Sequence, residues 1–176
     1  MKKIISILYI GILLFIANAC SSTNNASSAD TTKLLNGKEF TFMAERAIPT
    51  NMDVINVMNS MQTKMASQML NLDYGYSLKI TRTEVVAELP YFGRMFNANY
   101  DTSKNSYRFT SKDFTIDESK SKKGSAVYLI TAKDQQGIKR MNLEVYPNGK
   151  AYLYIDSNDR QPISYDGYVK ENAVAK

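Results

Sequence analysis

The fold of this chain is decided by the stretch Tyr74–Phe96, which reads YGYSLKITRTEVVAELPYFGRMF. Apolar residues occupy every second position in each half of it: Tyr76, Leu78 and Ile80, then Val85, Ala87 and Leu89. A period of two is typical of strands that have one face on a core and the other in water. Pairing Ile80 with Val85 places all of these apolar side chains on one face. Because Arg82-Thr83 lacks the glycine or asparagine of a tight turn, the sequence predicts a hairpin with a four-residue loop.

Short alternating segments continue through most of the chain. A first strand is predicted at Glu39–Ile48, ahead of the central hairpin. Further candidate strands follow that hairpin: Ser106–Thr110, Asp113–Ser119, Ser125–Ala132, Ile138–Tyr146, Lys150–Asp156 and Pro162–Lys170. Strands at such short spacing, with no helices between them, indicate an antiparallel meander. The predicted fold is mainly β, a sandwich or open barrel of about eight to nine strands.

The segment Tyr146–Lys150 predicts one turn in detail. A two-residue turn on Asn148-Gly149 would mix apolar and polar side chains on both faces. A three-residue loop instead pairs Val145 with Ala151, Leu143 with Leu153 and Met141 with Ile155. It also places Gly149 in the left-handed position that follows a type I turn. The opposite face then carries Tyr152 and Tyr154, which strand propensity explains; the alternative is a contact patch for a partner.

The segment Met52–Leu70 has a different pattern. Its apolar residues step by three or four positions, which is the spacing of a helix: Val54, Met58, Met61, Met65 and Met69. Thr50 and Asp53 are spaced as a capping pair at its start. We therefore predict an amphipathic helix over residues 52–70 that packs on the sheet or over one end of it. The alternative is a lid, since methionine side chains repack easily around an apolar ligand.

The N-terminus has the features of an export signal. Lys2 and Lys3 precede an apolar run, 4–17, that is shorter than the roughly 20 residues of a membrane-spanning helix. Small residues then lead to Cys20, and a segment rich in serine, threonine and asparagine follows. This order resembles a bacterial lipoprotein signal, which implies that residues 1–19 are removed and that Cys20 is acylated. The alternative is an ordinary secretory signal with a chance cysteine, which leaves a reactive thiol on an exported protein.

Length and composition predict one domain behind this signal. The chain has 176 residues, with 22 basic and 17 acidic ones, and removal of residues 1–19 takes away two lysines, so the net charge falls from +5 to +3. What is left is long enough for one domain with a real core. Cys20 is the only cysteine, so stability comes from packing rather than from an intramolecular disulfide. We expect a flexible tether over residues 20–36, a β domain over 37–170 and a disordered tail over 171–176.

The segment Leu89–Arg94 is the strongest candidate for a contact site. Pro90 cannot donate a ladder hydrogen bond, so the strand ends or lies on an edge there, and Gly93 permits a bend. Tyr91, Phe92 and Arg94 are then expected to converge where the sheet turns. One interpretation is a packed corner with Arg94 bound by a nearby aspartate. The other is an aromatic and cationic mouth for a ligand or partner.

Catalytic, metal and nucleic-acid chemistry finds little support in the sequence. The chain contains no histidine, which removes Ser-His-Asp hydrolysis and most catalytic zinc sites. Glu84 and Glu88 share a strand face but lie about 13 Å apart, beyond the roughly 5 to 9.5 Å of glycosidase pairs. The scattered aspartates lack the spacing of a calcium loop. The basic run Lys120–Gly124 is interpreted as a solvated hairpin tip, so no nucleic acid, metal or cofactor is predicted.

Three motifs occur in order along the chain: Leu89–Arg94, Phe109–Phe114 and Ser157–Tyr168. Their succession resembles the Bacteroidota lipoproteins of domain of unknown function 4251, from about Phe40 to Val169. The resemblance implies a small all-β envelope domain on a lipid tether, and it implies no activity. In this bacterial group an acidic cluster just behind the acylated cysteine is similar to a surface-export signal. The first acidic residue here is Asp30, so the periplasmic face of the outer membrane is expected, with surface exposure as the alternative.

The sequence thus predicts a lipid-anchored, non-enzymatic binding module. The partner is expected to be an envelope protein, an apolar ligand or a glycan, and the membrane contact is the acyl group on Cys20. A small ligand would occupy a cavity or groove bounded by methionines of the helix and aromatics of the corner: Met58, Met61, Met65, Tyr91 and Phe92. The alternative functions are an assembly accessory of the outer membrane and, more distantly, a hydrolase that uses carboxylates.

Overall fold

The computed structural model describes residues 28–61, 70–96, 106–122 and 124–172. In this part of the chain it contains nine strands and two short helices. The helices are α1 (Ser28–Asn36) and α2 (Met52–Ser60). The strands are β1 (Phe40–Pro49), β2 (Ser77–Ile80), β3 (Val85–Pro90), β4 (Ser106–Ser111), β5 (Phe114–Lys120), β6 (Ala126–Ala132), β7 (Ile138–Val145), β8 (Lys150–Ser157) and β9 (Ile163–Glu171).

The strands form one antiparallel sheet in the order β4-β3-β2-β1-β9-β8-β7-β6-β5. Its two edge strands, β4 and β5, are consecutive in sequence and are joined only by Lys112-Asp113. Because so short a link connects the two edges, the sheet must roll up, and it forms a nearly closed barrel. The prediction of a mainly β, antiparallel meander is confirmed, and of the two predicted architectures the barrel is the one found.

The barrel interior is filled by the inward side chain of every second residue. The largest fully buried ones are Tyr107, Tyr128, Tyr165, Phe40, Phe42, Leu78, Ile80, Leu89, Ile130, Met141, Leu143 and Leu153. Contacts cross between strands that are not neighbours in the sheet. The rings of Phe40 on β1 and Tyr128 on β6, for example, have centroids 5.4 Å apart. The side chains therefore pack as a core rather than enclose a channel.

The central hairpin has the predicted register, with Ile80 opposite Val85 and Leu78 opposite Ala87. Its loop has the predicted length of four residues, and Thr81 N donates to Glu84 O at 3.0 Å. Tyr76 was expected to continue the apolar face, and this is wrong because its side chain is 37 % exposed. Its backbone still continues the pairing with β1, because Ala44 N donates to Tyr76 O at 2.9 Å. After the irregularity in β1 between Ala44 and Arg46, residues 70–72 take over the pairing with β1, and Tyr76 is the last residue of the first pairing.

The β7–β8 hairpin confirms the predicted three-residue loop. Val145 lies opposite Ala151, Leu143 opposite Leu153 and Met141 opposite Ile155. Tyr146 N donates to Lys150 O at 2.8 Å and closes the turn. Gly149 has a φ of 79°, the left-handed conformation for which glycine is suited.

Helix α2 begins at the predicted residue, but Thr50 does not cap it. Asn51 does so instead, accepting a hydrogen bond from Asp53 N to its side-chain oxygen at 2.7 Å, while the Thr50 hydroxyl donates to Pro162 O. The helix is described to Ser60, and residues 62–69 of the predicted helix, Met65 among them, lie outside the described residues. Neither helix of the described ranges is long and apolar enough to cross a bilayer.

Both ends of the folded domain differ from the predicted boundaries. Residues 28–36 of the expected tether form α1, in which Thr31 is buried and Leu34 packs partly against the core. At the other end β9 includes Glu171, which pairs with Phe40. Asn172 then donates to Ile80 O at 2.9 Å. The signal segment 1–19, Cys20 and the tail 173–176 lie outside the described residues.

The bend that joins β4 to β5 is bound by Asp134, in the turn between β6 and β7. Its carboxylate accepts hydrogen bonds from Ser111 Oγ at 2.5 Å, Lys112 N at 2.9 Å and Asp113 N at 3.4 Å. The bond from Ser111, followed by that from Lys112, lowers the pKa of Asp134 below its usual value. One ionised side chain thus ties the two edges of the sheet to the β6–β7 turn.

Replacing Asp134 with asparagine is expected to remove a pH-dependent part of the stability. Since the folded pKa is depressed, the contribution is fully present above the unfolded pKa, near 3.8, and is lost as the pH falls through the folded value. Urea unfolding of wild type and Asp134→Asn from pH 7 to pH 2 should show midpoints that differ at neutral pH and converge in acid. Asp117→Asn, an exposed carboxylate on β5, is the control. A difference that stays constant across this range would contradict the proposed role.

Candidate functional site

A buried arginine lies where the end of β3 meets the loop between β8 and β9. Arg160 is only 7 % exposed. It forms an isolated antiparallel bridge with Met95. On either side of that bridge, Phe96 N donates to Asp159 O at 2.8 Å and Gln161 N donates to Arg94 O at 3.1 Å. Residues 94–96, after β3, therefore pair through their backbone with residues 159–161, before β9.

Two tyrosine rings enclose the guanidinium group of Arg160. Its central carbon lies 5.1 Å from the ring centroid of Tyr91 and 4.9 Å from that of Tyr107. The two rings meet edge to face, with centroids 5.7 Å apart. A cation at these distances is attracted by the negative face of an aromatic ring, and more strongly where water is excluded. The arginine is thus stabilised by two strands, because Tyr91 follows β3 and Tyr107 lies on β4.

The charge of Arg160 is paired with its neighbour in sequence. Nε and Nη2 donate to the two carboxylate oxygens of Asp159 at 3.0 and 2.9 Å, the parallel geometry that makes arginine–carboxylate pairs strong. Burial lowers the pKa of Arg160, but the hydrogen bond and charge of Asp159 outweigh this, and the pKa is raised overall. The third nitrogen, Nη1, is buried and has no hydrogen-bond acceptor among the described residues.

The tyrosine hydroxyls bind the surrounding backbone and stay protonated. Tyr91 Oη shares its one proton between two carbonyl oxygens, Arg94 O at 2.9 Å and Gln161 O at 3.1 Å. Tyr165 Oη donates to Pro90 O at 2.6 Å. Burial raises the pKa of Tyr91 and Tyr165 above the usual value, so both phenols are hydrogen-bond donors at any physiological pH. The first and third motifs are therefore joined through these two side chains.

Glycine at position 93 allows Tyr91 to take this position. A Cβ atom at Gly93 would lie 2.6 Å from Tyr91 Oη and 2.8 Å from the ring carbon that bears it. These separations are shorter than any real carbon contact, so a side chain here would displace the ring. The absence of a side chain at position 93 thus lets the Tyr91 ring lie against Arg160.

An open cavity of about 300 Å³ adjoins this cluster. Its lining combines aromatic, aliphatic and charged side chains: Met95, Ser106, Tyr107, Arg108, Phe109, Gln135, Gly137, Ile138, Asp159 and Arg160. One wall is the edge strand β4, and Gln135 Nε2 donates to Thr110 O at 3.2 Å from the opposite wall. Backbone N–H and C=O groups alternate in direction along a strand. The backbone groups of Arg108 therefore point the same way as those of Thr110, toward the cavity.

Comparison with known proteins identifies the family. The family model described as "Domain of unknown function (DUF4251)" matches residues 22–169. The chain belongs to the DUF4251 family. Its fold is similar to the crystal structure of a DUF4251 family protein from Bacteroides eggerthii DSM 20697, with a TM-score of 0.50 and 13 % sequence identity over 84 % of this chain and 89 % of that one. Comparison with curated proteins gave no match.

The DUF4251 resemblance predicted from the three motifs is therefore confirmed, and the structure shows how the motifs are placed relative to one another in this chain. The first supplies Tyr91 and the backbone that pairs with the third. The second forms the bend bound by Asp134. The third supplies Asp159 and Arg160, which Tyr91 and Tyr107 enclose. All three contribute to the way this DUF4251 barrel closes on itself.

The structure brings together only part of the predicted contact site. Tyr91 lies beside a cation, but that cation is Arg160 and not Arg94, whose side chain is exposed and forms no ion pair within the described ranges. Phe92 packs partly against the core. Met61 is partly buried, whereas the side chain of Met58 and all of Met65 lie outside the described residues.

The outer tyrosines of β8 occupy a separate surface from the Arg160 cluster. Tyr152 and Tyr154 lie opposite Asp166 and Ser164 of β9, on the outer face. Tyr152 Oη donates to Ser164 Oγ at 2.6 Å, which fixes its ring against the sheet. Neither residue lines the cavity beside Arg160.

Sequence reasoning missed Arg160, Asp159 and Tyr107. The one local signal was the charged pair Asp159-Arg160 in the short segment between the end of β8 and Pro162. Charged residues are also ordinary in surface loops, so this signal did not single out a site. Chemically the assembled site offers hydrogen-bond donors, carboxylate acceptors and aromatic faces. Within the described ranges, no group of three or more cysteine, aspartate or glutamate residues could hold a metal ion.

Proposed function

We propose that this DUF4251 chain is an acylated envelope protein that binds, without transforming, a small ligand of the glycan class. The binding site is the cavity beside Arg160. The observation that supports the proposal is the combination, in one open hollow of about 300 Å³, of a paired arginine and aspartate with aromatic walls. A volume of this size lies at the lower limit of ordinary ligand sites.

The charge pairing at Arg160 favours a ligand that carries hydroxyl groups rather than a strong negative charge. Asp159 neutralises the guanidinium and uses two of its nitrogens. Sugar hydroxyls both donate and accept, so they match a site that presents carboxylate and guanidinium groups together.

The filled interior of the barrel argues against an apolar ligand. A small hollow beside the core residues Phe40 and Tyr128 holds only about 10 Å³. That volume is close to the space one water needs. The core thus has too little space for an acyl chain, whereas the cavity near Arg160 is open and has both polar and aromatic lining residues. Of the ligand classes expected from the sequence, a glycan therefore fits best.

The envelope address is supported by the sequence alone. The lipoprotein-like signal over residues 1–19 and the acceptor position of Cys20 support an acyl anchor in the outer membrane. The late first acidic residue, Asp30, supports orientation toward the periplasm. In this proposal the residues that follow Cys20 link the acyl group to the domain that contains α1.

Native mass spectrometry of the chain, extracted in detergent from its own envelope, tests the whole proposal. The denatured mass should equal residues 20–176 plus the acyl groups on Cys20. The native mass should include a further increment that sugar analysis identifies as carbohydrate. Unmodified mass at Cys20 would overturn the anchor. Protein without a carbohydrate increment but crosslinked to one neighbour would favour the assembly role instead.

A matched pair of variants locates the ligand within the protein. A Cβ atom at Gly137 would be 3.7 Å from Asp159 Oδ2, an ordinary contact, so Gly137→Leu should place a side chain in the cavity beside Asp159 without straining the turn. Gln136→Leu adds the same side chain to the same turn at an exposed residue that does not line the cavity. Loss of the carbohydrate increment from the first variant only is the expected result. Equal retention in both would place the ligand elsewhere.

A further inference from the structure

A second hollow lies on the other side of strand β4 from the Arg160 cavity. It encloses about 190 Å³. Its lining comes from the loop before β2 and from the outer faces of β3 and β4: Asp73, Tyr74, Gly75, Tyr76, Glu88, Leu89, Ser106 and Arg108. Ser106 and Arg108 line both hollows. One strand therefore separates two open spaces, and the side chain of Arg108 can reach a ligand in either.

The second hollow carries two tyrosines that the core does not use. Tyr74 is 82 % exposed and Tyr76 is 37 % exposed. Lys170 Nζ lies 5.2 Å from the ring centroid of Tyr74 and donates to its hydroxyl at 2.9 Å, which orients the ring. Exposed aromatic rings beside polar groups are typical of recognition surfaces, because one end of the side chain is apolar and the other forms hydrogen bonds.

The charges of the two hollows nearly cancel. Arg108 lies opposite Glu88 in the β3–β4 pairing, and Asp73 belongs to the same lining. Across β4, Asp159 pairs with Arg160. A strongly anionic or cationic polymer would meet groups of its own sign in either hollow. A neutral chain of hydroxylated rings meets donors, acceptors and aromatic faces along the whole path.

We infer that the ligand is a linear, neutral oligosaccharide of two or more units that crosses β4 and occupies both hollows. This inference depends on the proposed function, since it extends the same glycan site. Arg108 lies at the crossing point and contacts the units on both sides. Tyr74 and Tyr76 form the outer subsite, and the Arg160 cavity forms the inner one.

An array of linear oligosaccharides tests this inference with the full acylated chain in detergent micelles. The array carries glucose, mannose, galactose, xylose and N-acetylglucosamine series of one to six units. For the series that binds, affinity should rise by about tenfold from the single sugar to the longer members, the scale of one added aromatic contact. The variant with Tyr74→Ala and Tyr76→Ala should lose this gain and keep the affinity for the single sugar.

Two further variants separate the possible outcomes. Gly137→Leu should weaken binding of short and long members alike, because its side chain obstructs the inner subsite beside Asp159. Tyr146→Ala removes a tyrosine of similar exposure, 38 %, from a distant turn and should change nothing. Equal affinity for one and for several units, or a chain-length gain that survives the double alanine variant, would overturn the inference and leave the proposed function intact. Failure to bind any series would overturn both.

Discussion

Replacing Gly167 with alanine is expected to lower the free energy of unfolding by about 3 kcal/mol or more, at the upper end of overpacking costs. A Cβ atom at this position would lie 1.9 Å from Met43 O and 2.9 Å from Met43 C. Both atoms belong to the backbone of β1, so no side chain can turn aside to make room. Gly167 pairs with Ala44 immediately before the bulge in β1, where the two backbones approach closely.

Relief of this clash would require β1 to move away from β9. These two strands share a long ladder that runs from Phe40 opposite Glu171 to Pro49 opposite Ile163. Displacing the middle of it breaks hydrogen bonds and opens the core beside Phe42, whose ring also lies 3.0 Å from the added atom. The cost is therefore spread over the centre of the barrel rather than confined to one residue.

Urea unfolding followed by circular dichroism measures this effect. Gly137→Ala is the matched control, because the same added methyl group meets its nearest atom at 3.7 Å there. The control should unfold within about 0.5 kcal/mol of wild type, as surface substitutions usually do. A Gly167→Ala protein as stable as the control would mean that β1 and β9 do not approach as closely as described.

The local parts of the fold could be predicted because each depends on a short stretch of sequence. Strict alternation in Leu78–Ile80 and Val85–Leu89 determines which face is buried, and the face determines the register. Gly149 specifies its turn by its left-handed backbone. The failures were also local in cause. Asn51 caps the helix in place of its neighbour Thr50, and Tyr76 keeps its backbone pairing with Ala44 while its side chain is exposed at the end of the strand.

Closure of the barrel and assembly of the site depend on contacts between distant residues. Phe40 meets Glu171 across most of the chain, and no period or spacing in the sequence specifies that pair. Tyr91 was a predictable site residue because Pro90 and Gly93 mark a bend beside it. Its cationic partner was assigned to Arg94, the nearest arginine in sequence. The true partner, Arg160, is distant in sequence, and only the docking of β9 beside β1 brings it near.

Replacing Arg160 with alanine is expected to lower the free energy of unfolding by about 3 kcal/mol, a value typical of disrupting a buried polar network. The substitution removes the cation that lies against the rings of Tyr91 and Tyr107 and leaves a void beside them. It also removes both hydrogen bonds to Asp159. Arg160→Lys should recover little, since an ammonium group cannot form the two parallel bonds. Arg160→Met should recover more, because it fills the void.

Arg140 provides the matched control for this series. It also pairs with an aspartate, with Nε 3.3 Å from Asp156 Oδ2, but its side chain is 54 % exposed. Exposed pairs contribute about 0 to 1 kcal/mol, so Arg140→Ala should cost far less than Arg160→Ala in the same urea titration. Equal losses in the two variants would show that the tyrosine enclosure adds nothing. The contact between the end of β3 and the β8–β9 loop would then depend on backbone pairing between residues 94–96 and 159–161. Arg160 could then contact a ligand without being needed for stability.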